Sequence, residues 1–214
     1  MVANRCSYAP SHPVGVEIRG ARLRKDGAMI MTHQILNESE IALLATLQGH
    51  RWVDMSGDGM FDEDFAWVGV RIETTGPALN IAFEMEVIDI DGYADDYPVL
   101  HVMPSPEKSL AAINDGNIYK GENGETVSEI WVLREKLDCV SNGTPEFSNT
   151  ADVAVAIKLE NIWISLVRSD HFSDAFMVQR PKSRDEIELP DTLSEWPEDL
   201  MTQFELSREW IQVA

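Results

Sequence analysis

Apolar and polar residues alternate with a period of two along much of the chain, which is the spacing of a β-strand with one buried face. Within the run 152–167, Glu160 and Asn161 separate two apolar stretches, as the two residues of a hairpin turn do. The pattern therefore predicts a sheet that is mainly antiparallel or mixed. The predicted strands are residues 14–19, 28–35, 65–73, 78–91, 97–103, 127–139, 152–167 and 176–179.

Two details interrupt this alternation. Its phase slips by one residue at Val87 and Ile88, and a slip of this kind predicts a β-bulge. Residues 141–150 include Asn142, Gly143 and Pro145. Because these residue types favour turns, we expect a loop over the whole of this stretch.

A helix is predicted at about residues 38–48. Asn37 can cap its first turn by accepting a hydrogen bond from a free backbone N–H group, and Glu40 three residues later completes a capping box. Apolar residues recur at helical spacing after the cap, and Gly49 suits the left-handed position at the end of a helix.

A second helix is predicted at about residues 197–210. Pro197 suits the first turn of a helix, because a proline there loses no hydrogen bond. Helical spacing also unites the apolar residues Leu200, Phe204 and Ile211. Two helices beside a mainly antiparallel or mixed sheet make the predicted fold class α+β.

The length of 214 residues is within the range of one domain, which can reach about 250 residues. Residues 1–13 contain prolines and few apolar side chains, and they are predicted to form a flexible arm before a single α+β domain at 14–214. The alternative is two β-rich lobes divided near 104–124, where prolines and turn residues cluster.

The net charge of −20 is unevenly distributed. The first 36 residues hold five basic and two acidic side chains, a net of +3, so the remainder carries −23. Such a surface repels nucleic-acid phosphates and anionic lipids, and it attracts basic protein surfaces. We therefore expect a basic protein partner, no nucleic acid and no membrane. Mimicry of DNA by the acidic surface ranks below this expectation.

Several classes of enzyme and of targeted protein lack their signals here. The chain has no G-x-S-x-G elbow and no HExxH, and Gly57–Gly59 lacks the other parts of a nucleotide loop. Cys6 and Cys139 form neither a disulfide framework nor a zinc pattern. No apolar signal-peptide core or membrane-length run is present. We expect a cytoplasmic protein without a cofactor, and we assign no catalytic residues.

One acidic segment has the spacing of a cation site. Asp54, Ser56, Asp58 and Asp62 resemble the first half of an EF-hand calcium loop, in which oxygen ligands recur at every second residue. The twelfth position should hold a bidentate glutamate, but it is Phe65, so no tight calcium site is predicted. A metal-dependent hydrolase that uses clustered Asp residues is the alternative function.

The favoured candidate is an aromatic and acidic binding surface. Phe65 and Trp67 share one face of a predicted strand whose other face is also apolar, so that strand is either buried twice or part of an interface. The favoured function is a non-enzymatic intracellular protein-binding module, such as an inhibitor or immunity-type protein. Its binding surface is assigned to Asp62, Asp64, Phe65, Trp67, Asp95 and Asp96. The oligomeric state is not predicted.

Overall fold

Long antiparallel strands make up most of the structure. The computed structural model describes residues 29–58, 65–90, 93–105, 117–119, 124–195 and 201–214. Their one α-helix is α1 (Glu38–Ala45), and short 3₁₀ helices lie at Arg184–Glu186 and Thr192–Glu195. The described residues therefore belong to an α+β or mainly-β class. The strands are β1 (Ile30–Gln34), β2 (Trp52–Asp58), β3 (Phe65–Thr74), β4 (Ala78–Ile90), β5 (Tyr93–Pro104), β6 (Asn117–Tyr119), β7 (Glu129–Ser141), β8 (Thr144–Lys158), β9 (Trp163–Arg168), β10 (Phe176–Gln179) and β11 (Thr202–Gln212).

Hydrogen bonds join these strands in the order β11-β7-β8-β9-β10-β3-β2-β6. β4 pairs with β3 and β5, while β1 pairs with β8. The β1–β8 pair is parallel, and the other strand pairs are antiparallel. β10 reaches β3 through only two residue pairs, Phe176 with Ala66 and Met177 with Phe65. These two pairs connect the β7–β8–β9–β11 part of the sheet to the β2–β5 part.

The main core lies between the two parts of the sheet and is closed by α1. Leu44 of α1 is fully buried there, and the rings of Phe83 and Phe176 pack with their centroids 4.7 Å apart. Each fully buried Leu, Ile or Phe contributes about 1.5–3 kcal/mol of hydrophobic free energy. From the sheet, this cluster includes Val70, Ile72, Ile81, Leu100, Val132, Val155, Ile157, Ile164 and Leu166.

A second apolar layer covers the opposite face of β7, β8 and β9. The chain returning from β10 passes over this face and buries Ile187 against Leu133 and Val167. In the same stretch, the guanidinium carbon of Arg184 lies 3.9 Å from the ring centroid of Trp131. An Arg stacked on an indole face gains cation–π attraction in addition to packing. Residues 151–157 of β8 and all of β9 are therefore buried on both faces, which explains why their sequences are mostly apolar.

The predicted N-terminal-half helix is confirmed, as is its cap. The Oδ1 atom of Asn37 accepts hydrogen bonds from the backbone N–H groups of Ser39 at 2.9 Å and Glu40 at 3.1 Å. The Glu40 carboxylate accepts one from the Asn37 N–H at 2.9 Å, which completes the capping box. The helix ends at Ala45, three residues before the predicted end, and Gly49 adopts φ of 80° after a short turn.

The predicted helix at 197–210 is wrong, because residues 202–212 form β11. All eleven residues of this strand pair with β7. Phe204, Leu206 and Trp210 also satisfy a period of two, so the sequence fits a strand as well as a helical stripe. Pairing with the long edge of β7 decides between the two. The first residues of the predicted helix lie outside the described part of the chain.

The predicted loop at 141–150 is also wrong except for its first residues. Asn142 and Gly143 have φ of 51° and 74°, and positive φ at both central residues is the requirement of a two-residue type I′ hairpin turn. From Thr144 the chain is already in β8, and a register shift beside Pro145 accommodates the proline in the strand.

The bulge predicted at Val87 and Ile88 is absent, since β4 and β5 pair without a register shift from Leu79 to Ile90. The apolar phase changes there for another reason, namely that the strand has left the core. Val87 is 70 % exposed, so its apolar character does not mark a buried face.

The strand predicted at 28–35 is present as β1, in parallel with β8. A buried carboxylate fixes the chain as it leaves this strand. Asp152 is 1 % exposed, and it accepts a hydrogen bond from the Leu36 N–H at 2.9 Å and two from Arg134 at 2.8 and 3.0 Å. This anchor sets where α1 begins. The strand predicted at 14–19 and the arm at 1–13 lie outside the described residues.

The remaining predicted strands occur at or near the predicted places as β3, β4, β5, β7, β8, β9 and β10. The choice between one domain at 14–214 and two lobes divided near 104–124 stays a prediction, because most of that boundary is not described. None of the described helices is long and apolar enough to cross a membrane.

Candidate functional site

The β4–β5 hairpin extends beyond the rest of its sheet. β3 pairs with β4 only over Ala78–Ile81, whereas β4 and β5 continue to pair as far as Ile90 and Tyr93. Residues at alternate positions on one face of β4 pass from the core into solvent: Phe83 is 2 % exposed, Met85 45 % and Val87 70 %. The apolar face of this strand therefore continues past the point where other elements cover it.

Exposed carboxylates lie on both faces of the hairpin near these apolar side chains. Asp96 pairs with Val87, so both lie on the same face of the hairpin, and Asp96 is exposed. Glu84 and Glu86 are exposed on the opposite face of β4. We call Glu84, Met85, Glu86, Val87 and Asp96 the hairpin surface.

The base of the hairpin surface is held to α1 by His101. Its Nδ1 atom lies 3.0 Å from Oε1 of Glu40, and its Nε2 atom lies 2.9 Å from Oε1 of Glu86. Partial burial alone would lower the pKa of His101, but hydrogen bonds and charge attraction from the two carboxylates outweigh it and raise the pKa. Glu40 also accepts a hydrogen bond from the Val102 N–H at 3.2 Å, which fastens the helix to β5.

A cavity of about 460 Å³ opens where β3 begins, on the far side of its short pairing with β10. This volume is within the usual range of ligand pockets, about 300–1,000 Å³. Gln179 fixes one wall, since its side chain accepts a hydrogen bond from the Glu188 N–H and donates one to the Glu188 carbonyl, each at 2.8 Å. The cavity is lined by Phe65, Met177, Gln179, Pro181, Glu186 and Glu188, among others.

Ring contacts place the turn between β9 and β10 beside the hairpin. Phe172 lies in this turn, and its ring centroid is 6.1 Å from that of Tyr97 in β5. It also meets the edge of the His171 ring at 4.7 Å. In β10, which follows this turn, Phe176 faces the core and packs on Phe83 of the hairpin, whereas Met177 on the opposite face of the strand lines the cavity.

The predicted binding residues are only partly described. Phe65 is half-buried and lines the cavity, and Asp96 is exposed on the hairpin surface. Trp67 and Asp95 lie in β3 and β5, but their side chains are outside the described part. Asp62 and Asp64 fall outside the described residues altogether. The structure therefore does not show whether these six side chains form one surface, and that assignment stays a prediction.

The residues of the calcium-like pattern lie in a strand where they are described. Asp54, Ser56 and Asp58 are in β2, and Asp54 accepts a hydrogen bond from the Met55 N–H at 2.9 Å. A strand spreads three alternate positions over about 13 Å, whereas the ligands of one calcium ion lie within about 2.6 Å of it. Asp62, the fourth residue, is not described. Over the described ranges, no three His, Cys, Asp or Glu side chains converge as a metal site.

Sequence reasoning missed a buried ionic network on the other side of the sheet. The Glu135 carboxylate accepts hydrogen bonds from Thr192 Oγ1 at 3.1 Å and Arg208 Nε at 2.9 Å, while Nη2 of Arg168 approaches it at 3.4 Å. Its side chain is only 4 % exposed. These residues are far apart in sequence, and no local pattern links them. A carboxylate so fully enclosed joins β7, β9 and β11 and has no open side for a ligand.

His171 completes this network as a neutral group. Its Nδ1 atom lies 3.4 Å from Nη2 of Arg168, and its side chain is 2 % exposed. Burial and the neighbouring Arg168 charge lower its pKa to about 3. The histidine is therefore uncharged at neutral pH, and it fills space between charged groups without adding to the two arginine charges.

No protein-family model, curated protein or solved structure matches this chain. The functional argument consequently depends on the geometry of the hairpin surface and of the cavity. The Glu135 network is enclosed by the fold, whereas these two features face solvent, so they are the candidates for contact with another molecule.

Proposed function

We propose that the protein is a non-enzymatic, acidic binding module that docks a basic protein through the hairpin surface. The observation that carries this proposal is the exposure of Met85 and Val87 on a strand face that is buried at Phe83. Exposed apolar side chains with charged groups near them match the usual composition of a protein interface.

The charge of the hairpin surface determines the sign of its partner. Asp96 lies beside Val87 on one face of the hairpin, Glu84 and Glu86 are exposed on the other face of β4, and the chain as a whole carries −20. A basic protein would be attracted from a distance by the overall charge and would pair with these carboxylates on contact. The same charge disfavours nucleic acid as the ligand.

An inhibitor or immunity-type protein inside the cell is the form of this function that the physics supports best. Such a protein must reach a cationic toxin or nuclease before the latter acts, and complementary charge raises association rates by about 10–1,000-fold. Apolar anchors then slow dissociation, because most differences in affinity between related complexes lie in the dissociation rate.

The test begins with capture of the partner from a lysate of the source cells at low salt. Association rates are then measured by surface plasmon resonance for the wild type and for a variant with Glu84→Lys, Val87→Ser and Asp96→Lys. We expect association to slow by about tenfold or more, because two attractive charges become repulsive. The wild-type association rate should also fall as salt is added.

A matched control changes the same chemistry elsewhere. Glu205→Lys, Glu209→Lys and Met201→Ser alter two exposed carboxylates of β11 and, just before this strand, one side chain that is 61 % exposed. This variant has the same net charge as the hairpin variant. If the two variants slow association equally, the hairpin surface is not the docking site. If the only captured proteins are acidic or neutral, the proposal of a basic partner fails.

A further inference from the structure

The cavity beside β10 is lined by apolar residues and by two exposed acidic residues, Glu186 and Glu188, which we call its rim. Phe65, Met177 and Pro181 contribute the apolar groups, and the exposed residues Glu186 and Glu188 contribute two carboxylates. The Gln179 side chain already bonds the Glu188 backbone through both its amide nitrogen and its oxygen. Among the described lining residues, the charged groups available to a ligand are therefore both negative.

The Glu188 backbone and the Glu186 carboxylate are held in place before any ligand arrives. The two Gln179 hydrogen bonds hold Glu188 against β10, and the Lys182 backbone N–H donates to Oε2 of Glu186 at 3.0 Å. A carboxylate has room for several hydrogen bonds, so Glu186 can accept more from a ligand. A site whose groups are already positioned binds with less loss of conformational freedom.

We propose that this cavity receives a Lys or Arg side chain of the basic partner, an inference that rests on the proposed docking function. The aliphatic part of such a side chain packs on Met177 and Pro181, as long cationic side chains do on apolar surfaces. Its charged end then lies near the Phe65 ring and pairs with Glu186 and Glu188. In this proposal, the Phe65 ring contacts the cationic end of the bound side chain.

β10 links the cavity to the hairpin through its two opposite faces. Phe176 of β10 packs on Phe83 of β4, and Phe172 before β10 contacts Tyr97 of β5. β10 is thus packed against β4 of the hairpin through Phe176, and Met177 on its opposite face lines the cavity. In the proposed complex, the partner buries apolar area on the hairpin surface and inserts one basic side chain into the cavity.

The experiment uses two short peptides and NMR spectroscopy. One peptide is acetyl-Gly-Gly-Arg-Gly-Gly-amide, and the other has citrulline in place of arginine, which keeps the shape of the side chain but removes its charge. The Met177 methyl signal is followed in the whole protein and assigned with a Met177→Leu variant. We expect saturable shifts with the arginine peptide, and about tenfold weaker binding of the citrulline peptide, since a charge-assisted bond contributes at least about 1.4 kcal/mol.

Variants locate the binding and separate this inference from the docking proposal. Glu186→Gln with Glu188→Gln should weaken arginine-peptide binding by about tenfold, while Glu205→Gln with Glu209→Gln should leave it unchanged. Equal binding of both peptides, or equal binding by both variants, overturns the inference. Neither result depends on the hairpin experiment: slow association in the hairpin variant with no effect at Met177 supports docking alone, and the reverse pattern rejects docking through the hairpin.

Discussion

The surroundings of a side chain set its pKa in this protein, and the pKa values of two histidines shift in opposite directions. His101 is bridged by Glu40 and Glu86, which raise its pKa. His171 is buried beside Arg168, which together with burial lowers its pKa to about 3. The sequence does not predict these two pKa shifts, because each depends on how the folded chain buries the histidine and places charges beside it.

The His101 bridge should make stability depend on pH. Its folded pKa exceeds the ordinary value of 6.5, so its stabilising contribution is complete below that value and is lost as pH rises through the folded pKa. We expect denaturant titrations to show that the advantage of the wild type over His101→Gln shrinks as pH increases. Glu86→Gln should lower the His101 pKa measured by NMR more than Glu84→Gln does. Equal effects of these two variants would contradict the bridge.

His171 should contribute a pH dependence of the opposite sign. In the unfolded chain it binds a proton near pH 6.5, whereas in the folded protein it stays neutral until pH is about 3. Its contribution to stability is therefore present above 6.5 and declines as pH falls through that window. NMR of the imidazole nitrogens should show the neutral ring throughout the window. A ring that gains its proton near 6.5 in the folded protein would exclude the buried arrangement.

Elements in this fold are defined partly by local signals and partly by their neighbours. The cap of α1 is a local signal: Asn37 and Glu40 predicted it, and the capping box is present. Strand periods in β3, β4 and β10 were equally readable. The secondary structure of residues 202–212 could not be predicted in this way, because Phe204, Leu206 and Trp210 fit both a helical and a strand period. Only pairing with β7 selects the strand.

Removal of the cap should weaken the protein measurably. Asn37→Ala leaves the N–H groups of Ser39 and Glu40 without their side-chain acceptor, and loss of an N-cap costs about 1 kcal/mol. Asn37→Ser should cost only a few tenths, because serine is also a good N-cap. Denaturant unfolding measures both values. If the Asn37→Ala and Asn37→Ser variants have equal free energies of unfolding, the cap does not contribute to stability.

The ionic network that joins β7, β9 and β11 should be much more sensitive than any exposed carboxylate. Glu135→Gln leaves Arg168 and Arg208 near an uncharged group, and breaking a buried ion pair costs about 3–5 kcal/mol. Glu209→Gln on the exposed side of β11 serves as the control and should change stability little. Comparable unfolding free energies for the two variants would show that Glu135 is not the centre of the network.

At the scale of the whole molecule, repulsion among the negative charges destabilises the folded state. A net charge of −20 on 214 residues repels itself, and added salt screens this repulsion. We expect the melting temperature to rise by about 2–4 °C between low salt and about 0.5 M NaCl, the shift that about 1 kcal/mol gives in a chain of this size. KCl should act alike, because screening is not specific to one ion. A constant melting temperature would mean that the charges are already compensated.

The candidate sites were less predictable than the fold. Charge and aromatic content predicted an acidic binding surface, and that assignment stays a prediction; of its residues, Phe65 lines the cavity and Asp96 is exposed on the hairpin. Met85, Val87 and Glu188 were not predicted as site residues. Met85 and Val87 continue the alternation of a buried strand, so only the length of the hairpin relative to β3 shows that they are exposed. Glu188 lines the cavity because the chain folds back beside β10 after that strand ends.

The parallel pairing of β1 with β8 has a consequence for biosynthesis. Thr32 bonds Asn149 across 117 residues of sequence, so β1 leaves the ribosome long before its partner strand has been made. Until then, the backbone groups of β1 that pair with β8 lack that partner, and unpaired strand edges are where nascent chains aggregate or recruit chaperones. The first described strand of the chain is therefore unable to complete its pairing until β8 has emerged.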